Sequence, residues 1–303
     1  MNILITGSSG LIGTALAETL SSRGYQIFKM RRTSSQKEPF HWLPDELKIH
    51  WDTSVHIDVV IHLAGANIAA GRWSETRKKE ILDSREKSTH LIADTLAGLK
   101  NPPKLLISAS AIGFYGDTAD RWVDERNRPG YDFLSEVCLK WEKATLPASE
   151  SGIRTVLIRT GMVLSAKGGA LKKMLLPFQL GLGGKMGSGK QFVSWVSLDE
   201  VVEMVRFIID NEAIHGPVNL VSPNPVTNAV FAKTLGAVLK RPAIFPIPAF
   251  MLKLLWGEMA EALILASNRV KPKALELAGY SFIHQDLENA LNCVLNKNEE
   301  RKV

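Results

Sequence analysis

The sequence predicts an α/β protein, a doubly wound parallel sheet followed by a smaller, mainly helical C-terminal subdomain. Two observations lead to this prediction. Short apolar runs alternate with helical patterns over the first two thirds of the chain, as in parallel sheets covered by helices on both faces. Beyond residue 223 the pattern is helical and interrupted by prolines. The 303 residues are enough for two unequal domains, which we place at 1–215 and 216–303.

The first unit of the predicted sheet occupies residues 1–32. The apolar run NILIT leads into a glycine-rich turn, a helical pattern ends at Gly24, and YQIFKM follows as a second strand. This order of strand, glycine turn, helix and strand is the Rossmann-type dinucleotide-binding unit, because the turn lets backbone N–H groups and a helix N-terminus approach a pyrophosphate. The predicted cofactor contacts of this turn are Gly7, Ser8, Ser9, Gly10, Leu11, Ile12 and Gly13.

Two arginines, Arg31 and Arg32, end the second strand. Proteins that bind NAD usually carry an acidic residue there for the ribose hydroxyls, whereas an arginine accommodates the 2′-phosphate of NADP. A pair of solvated surface charges is the alternative interpretation. We therefore predict NADP as the cofactor.

Small residues end the next buried strand. The run from Val59 to Leu63 is continuously apolar, as expected for a strand covered on both faces. At its end we predict that Leu63, Ala64 and Gly65 contact the cofactor, with a simple tight turn as the alternative.

The other elements follow in order along the chain. We predict a loop over 33–44, a short strand at 48–51, a helix over 74–98, a strand at 104–110, a loop over 112–132, a helix over 133–149, strands at 153–161 and 216–222, and a helix over 198–211. Residues 170–195 contain glycine clusters around a short helix, and we expect them to contribute to the substrate cleft. Within them, GLGGKMGSGKQ lacks the order of a phosphate-binding loop, because Gln191 follows Lys190. Lys185 and Lys190 either contact an anionic substrate there or are solvated charges.

Composition narrows the choice of partners. A net charge of +6 without a concentrated basic run is explained by solubility or by phosphate-bearing small molecules, so we predict no nucleic-acid partner. No apolar run reaches the length of a membrane span, and two cysteines with no signal pattern favour a cytoplasmic location. None of the seven histidines stands near a cysteine or carboxylate at metal-ligand spacing, so we predict no metal.

Motifs along the whole chain resemble those of a known family. TGSSGLIG, HLAG, FYGD, RTGMVL and FVSWVSLDEVV match the extended short-chain dehydrogenase/reductases of the NAD(P)-dependent epimerase/dehydratase family. The match is closer to an NADP-binding branch catalogued as nucleoside-diphosphate-sugar epimerases, through NIAAGRW, SREKST, SASAIGFYG and FLSEVCLKWE. The resemblance implies further cofactor contacts at Glu80, Arg85, Met162 and Val163. We also predict that Ser108 contacts the cofactor. It also implies a homodimer formed through the helices at 74–98 and 133–149.

The catalytic pair of that family is missing. Its members use a tyrosine and a lysine four residues later on one helix, and the matching positions here hold Leu134 and Cys138. Ser110 and Tyr115 remain as catalytic candidates, although a core serine and a packing tyrosine are the alternatives. Cys138 is expected to be an inert buried thiol.

The expected function follows from the predicted NADP site and from the missing catalytic pair. We expect an NADP(H)-dependent oxidoreductase or epimerase with an unusual acid/base set, acting on a small substrate such as a nucleotide sugar. The alternative is an NADP(H)-binding sensor or regulatory protein without significant turnover.

Overall fold

The computed structural model describes residues 1–32, 39–43, 46 and 48–296. In that part of the chain the strands are β1 (Asn2–Thr6), β2 (Gln26–Arg32), β3 (Phe40–Leu43), β4 (Lys48–Trp51), β5 (Val59–His62), β6 (Leu105–Ala111), β7 (Trp122–Val123), β8 (Arg154–Thr160), β9 (Met162–Leu164), β10 (Phe192–Val193), β11 (Trp195–Ser197), β12 (Gly216–Leu220), β13 (Val226–Thr227) and β14 (Arg269–Val270).

The α-helices of the same ranges are α1 (Leu11–Ser22), α2 (Glu75–Ala97), α3 (Phe133–Lys143), α4 (Leu146–Glu150), α5 (Gly169–Gln179), α6 (Leu198–Asp210), α7 (Asn228–Val238), α8 (Ala249–Trp256), α9 (Glu258–Ala260), α10 (Lys273–Leu277) and α11 (Leu287–Asn296). A 3₁₀ helix spans Ile112–Tyr115, and a π-helical turn spans Glu261–Leu265.

The main sheet has the order β12-β8-β6-β5-β1-β2-β3-β4. All neighbouring strands are parallel except β4, which pairs antiparallel with β3 at one edge. From β1 the chain first forms β2, β3 and β4 on one side of the sheet. It then crosses back and forms β5, β6, β8 and β12 on the other side of β1. The strand order therefore reverses between β1 and β5, and a crevice at their carboxyl ends is where such sheets bind ligands. The predicted doubly wound fold is confirmed.

Apolar side chains on both faces of the central strands form two cores. Ile3 and Ile5 of β1 pack toward α1 and α6, whereas Leu4 packs on the opposite face against α2. Successive side chains of a strand point to opposite faces, so a strand covered by helices on both sides needs an unbroken apolar run. This explains why Ile3, Leu4 and Ile5 in the middle of β1 form an unbroken apolar run.

A third core holds the C-terminal subdomain together. It combines Leu171 and Phe178 of α5, Phe231 of α7 and Leu291 of α11. This core also contains the fully buried Trp195 of β11. The segment 170–195 thus packs with the C-terminal helices, while β12 belongs to the edge of the main sheet.

Three local predictions are wrong. The loop predicted over 33–44 contains strand β3 at Phe40–Leu43, where the rings of Phe40 and Trp42 are buried in the second core; residues 33–38 and 44 lie outside the described ranges. The loop predicted over 112–132 contains the 3₁₀ helix and the two-residue strand β7. The helix predicted over 133–149 ends at Lys143, and a separate short helix begins at Leu146 with Pro147 in its first turn. Among the described residues, no helix is long and apolar enough to cross a membrane.

Candidate functional site

The glycine turn lies directly on the crevice between β1 and β5. Gly7 has a φ of +67°, and a Cβ there would lie 2.8 Å from the carbonyl carbon of Leu63. A Cβ on Gly13 would lie 2.3 Å from the carbonyl oxygen of Gly7, to which the backbone N–H of Gly10 donates at 3.0 Å. Glycine is therefore required at two positions by close backbone approach. The turn leaves the first N–H groups of α1 directed toward the crevice, as a phosphate site needs.

The remaining residues of the turn lie at or near the surface. Ser9 and Gly10 are exposed, whereas Ser8, Leu11 and Ile12 are half-buried. The side chain of Leu11 lies 3.3 Å from the place where a Cβ on Gly168 would be. The start of α5 is thus packed against the start of α1.

A buried hydrogen-bond chain fixes the two strands beneath this turn. Thr6 Oγ1 accepts backbone N–H bonds from Leu63 at 3.2 Å and Ala64 at 3.3 Å, and it lies 2.8 Å from Nδ1 of His62. Nε2 of His62 lies 3.0 Å from Oγ1 of Thr89 on α2. Because Thr6 Oγ1 already accepts two N–H bonds, we assign its proton to the bond with Nδ1 and the imidazole proton to Nε2. Burial lowers the pKa of His62 to about 4, so the ring is neutral near pH 7.

The two arginines predicted to select the cofactor end β2 at the same edge of the sheet. Arg31 and Arg32 are exposed and stand opposite His41 and Trp42 of β3 in the parallel register. Their strand is the direct neighbour of β1. The carboxyl ends of β1, β2 and β5 therefore place the glycine turn, the arginine pair and the segment 63–65 along one edge.

The segment after β5 is supported by a buried arginine. Arg85 of α2 donates to the carbonyl oxygens of Ile81 and Ala66, both at 3.0 Å, and its guanidinium lies 4.9 Å from the ring centroid of Trp141. A Cβ on Gly65 would lie 3.4 Å from this guanidinium. Arg85 therefore holds the loop that the resemblance places against the cofactor.

The four other predicted cofactor contacts lie in different surroundings. The exposed Glu80 pairs with Arg77 at 2.5 Å. Met162 and Val163 are half-buried on β9, which pairs with β11 beside the sheet. Ser108 is 0% exposed, and its Oγ has no hydrogen-bond partner among the described residues. Ser108 therefore has no exposed surface through which to contact a cofactor in this structure.

Ser110 and Tyr115, the two catalytic candidates, belong to one buried polar network. Ser110 Oγ donates to Oε1 of Glu142 at 2.7 Å, and Glu142 forms a two-bond ion pair with Arg159, each bond 2.8 Å long. Arg159 also donates to the hydroxyl of Tyr115 at 3.0 Å, and that hydroxyl donates to Asn219 at 2.8 Å. Both predicted hydroxyls thus have fixed partners.

Burial decides the protonation of Tyr115. It raises the pKa of the phenol to about 12, although the neighbouring Arg159 opposes the shift. The guanidinium of Arg159 also stacks 3.5 Å from the ring centroid of Phe114. The phenol is therefore neutral and held in place near pH 7. The roles of Arg159, Glu142 and Asn219 could not be predicted from the sequence, because they depend on partners far away in the chain.

The positions of the family's tyrosine and lysine are apolar in this protein. Leu134 and Cys138 are both buried on α3, and a Cβ on Gly113 would lie 3.3 Å from the Cβ of Leu134. Burial raises the pKa of Cys138 to about 12, so its thiol is protonated near pH 7. The geometry thus offers a cofactor groove without a tyrosine and lysine pair on this helix.

Two cavities lie away from the cofactor edge. One of about 330 Å³ is bounded by α7 and residues 285–288, and one of about 170 Å³ is lined by Lys185, Ala243 and Pro246 among others. Lys185 and Lys190 are exposed.

Comparison with known proteins gives consistent results. The model of the NAD dependent epimerase/dehydratase family matches residues 3–220, and that of a domain of unknown function, DUF1731, matches residues 247–293. The epimerase family protein Mb2239 of Mycobacterium bovis is 41% identical over 290 residues, covering 95% of this chain and 96% of that protein.

Two solved structures are similar over the whole chain. Human epimerase family protein SDR39U1 (isoform 2) with NADPH has a TM-score of 0.89 at 34% identity, covering 98% of this chain and 99% of that one. The nucleoside-diphosphate sugar epimerase from Corynebacterium glutamicum has a TM-score of 0.79 at 34% identity, covering 100% of this chain and 61% of that one.

Proposed function

The chain belongs to the NAD dependent epimerase/dehydratase family, and we propose that it is an NADP(H)-dependent oxidoreductase or epimerase acting on a small substrate. The observation that carries the cofactor choice is the pair Arg31 and Arg32 at the end of β2, next to the glycine turn. A guanidinium there pairs with the 2′-phosphate that distinguishes NADP(H) from NAD(H). NADPH in the related human structure supports the same choice.

In this proposal the pyrophosphate occupies the glycine turn, where the close packing of Gly7 and Gly13 leaves room for it. The backbone of Leu63, Ala64 and Gly65 borders the adenosine half of the cofactor. Met162 and Val163 border the other half. NADP(H) would supply the hydride acceptor or donor, while the chain binds and orients it.

Titration of the purified protein with NADPH and NADH tests the cofactor choice. A hydrogen bond to a charged group contributes about 1.5–3 kcal/mol, a factor of roughly 10–150 in affinity. The double variant R31A/R32A should therefore bind NADPH at least tenfold more weakly while its NADH affinity stays the same. Equal affinity of the unchanged protein for both cofactors would contradict the proposal.

The proposed substrate is a nucleotide sugar, the class suggested by the family resemblance and by the related epimerase. Because the phenol of Tyr115 and the hydroxyl of Ser110 have fixed partners, we propose that they position the Glu142–Arg159 pair and the end of β6. Tyr115→Phe should then lower stability but leave the pH profile of any turnover unchanged. A changed profile would instead assign proton transfer to Tyr115.

One observation favours a second function, an NADP(H)-binding sensor or regulatory protein. Leu134 and Cys138 cannot exchange a proton with a substrate hydroxyl near pH 7, since one is apolar and the thiol of the other is protonated. An NMR screen of nucleotide sugars with the NADP-loaded protein separates the two functions. Turnover that disappears in Gly13→Ala supports the enzyme, whereas tight NADPH binding without turnover supports the sensor.

A further inference from the structure

Three side chains with metal-binding atoms meet outside the cofactor site. Asp199 lies in the first turn of α6, His284 in the segment before α11, and Cys293 on α11 itself. One carboxylate oxygen, one imidazole nitrogen and the Sγ atom all lie within 4.8 Å of one another. His284 and Cys293 are half-buried, so an ion could reach them from solvent.

We propose that Asp199, His284 and Cys293 bind a zinc ion that joins α6 to α11. A thiolate, an imidazole and a carboxylate together are a donor set that suits Zn²⁺. Bonds of about 2.0–2.3 Å place tetrahedral ligand atoms roughly 3.3–3.8 Å apart, so the three atoms need to approach by about an ångström. Rotation of the side chains supplies that movement, and a water molecule takes the fourth position.

The backbone that carries these ligands is already fixed by a neighbouring buried carboxylate. Glu200 accepts a hydrogen bond from the backbone N–H of His284 at 2.7 Å, from that of Ile283 at 3.2 Å and from the hydroxyl of Tyr280 at 2.6 Å. Glu200 follows Asp199 directly in α6, and its own N–H is capped by Ser197 at 3.1 Å. Two of the three ligands are thus held by one carboxylate, which is how binding sites are preorganised.

The third ligand, Cys293, lies on α11, and the buried face of this helix fixes its position. Cys293 lies two residues after Leu291, and Leu287, Ala290 and Leu291 pack into the third core. Helix α6 packs on the main sheet through Val201 and Val205. An ion at this point would therefore attach the last helix of the subdomain to the Rossmann sheet.

This proposal departs from the sequence prediction of no metal. Asp199 is distant in the chain from the other two residues, so their meeting is a property of the fold. The zinc has no part in the chemistry at the cofactor edge, and the proposal does not depend on the proposed function.

Titration of the chelator-treated full-length protein with Co²⁺ tests the site, because cobalt bound to a thiolate gives a charge-transfer band and intense visible bands. We expect one equivalent of Co²⁺ to bind, with displacement by Zn²⁺. Cys293→Ser should abolish the charge-transfer band. Because Cys138 is still present in this variant, loss of the band would identify Cys293 as the thiolate ligand. His284→Gln and Asp199→Asn should weaken binding by more than the roughly 10–100-fold that loss of an outer-shell partner costs.

The matched control is His90→Gln. His90 and Asp94 form an exposed histidine and carboxylate pair 3.1 Å apart on α2. In the described part of the chain, this pair does not belong to a cluster of three metal-binding side chains. This variant should keep the full cobalt spectrum. An unchanged far-ultraviolet circular dichroism spectrum of Cys293→Ser would show that the variant is folded. Absence of the band in the unchanged protein, or its persistence in Cys293→Ser, would overturn the proposal.

Discussion

Acid should destabilise this protein through His62, the ring beneath the glycine turn. His62 is 0% exposed, and its pKa is lowered from 6.5 to about 4 because burial disfavours the charged ring. Between these two values the unfolded chain binds one more proton than the folded chain. The stabilising contribution is therefore complete above about pH 6.5 and is lost as the pH falls toward 4.

The two pKa values give the magnitude. At pH 4 the linkage relation yields a loss of about 3 kcal/mol relative to pH 7, a large part of the total stability of a typical domain. Local consequences follow from the hydrogen-bond chain. A charged ring cannot accept the proton of Thr6, whose hydroxyl also receives the N–H groups of Leu63 and Ala64. Cofactor affinity should then fall with stability below pH 5.

Urea unfolding at several pH values between 4 and 7.5 measures this effect. The variant His62→Gln lowers stability at every pH, but the difference in free energy of unfolding between it and the unchanged protein should shrink as the pH falls. Gly98→Ala, which changes no titratable group and makes only ordinary contacts, serves as the control and should give a difference independent of pH. A constant difference for His62→Gln as well would refute the assignment of the acid sensitivity to this ring.

Three further predictions concern the turn, the thiols and the buried network. Gly13→Ala should lose measurable NADPH binding in a fluorescence titration, because its Cβ would lie 2.3 Å from a carbonyl oxygen, whereas Gly98→Ala makes only ordinary contacts and should bind normally. With Ellman's reagent on the folded, chelator-treated protein, Cys293 should react promptly and Cys138 only after unfolding, since burial raises the pKa of Cys138 to about 12; rapid labelling of Cys293→Ser would contradict this. Glu142→Gln should cost about 3–5 kcal/mol in urea unfolding, and a loss below 1 kcal/mol, as for an exposed pair, would show that the ion pair is not the anchor.

Much of the fold could be predicted from the sequence because its signals are local. The apolar runs, the glycine turn and the arginine pair each lie within a few residues, and the order of strands and helices follows from them. Strand β3 was missed because Phe40–Leu43 is short and follows a polar segment. The break between α3 and α4 was missed because the helical pattern continues across it.

The close backbone packing of the glycine turn could be predicted from the sequence, whereas the polar network behind it could not. Gly7 and Gly13 are required by contacts that the motif itself encodes. The network of Ser110, Glu142 and Arg159 depends on partners 17 and 32 positions apart, brought together by β6, β8 and α3. Residue types alone therefore identified two hydroxyls without showing that both are already partnered.

The ratio of the dissociation constants for NADPH and NADH, measured for the unchanged protein and for R31A/R32A under the same salt, tests the central claim most directly. We predict a preference for NADPH that falls at least tenfold in the double variant, with NADH binding unchanged. Equal affinities in the unchanged protein, or a preference that survives loss of both arginines, would contradict the assignment of cofactor choice to the end of β2.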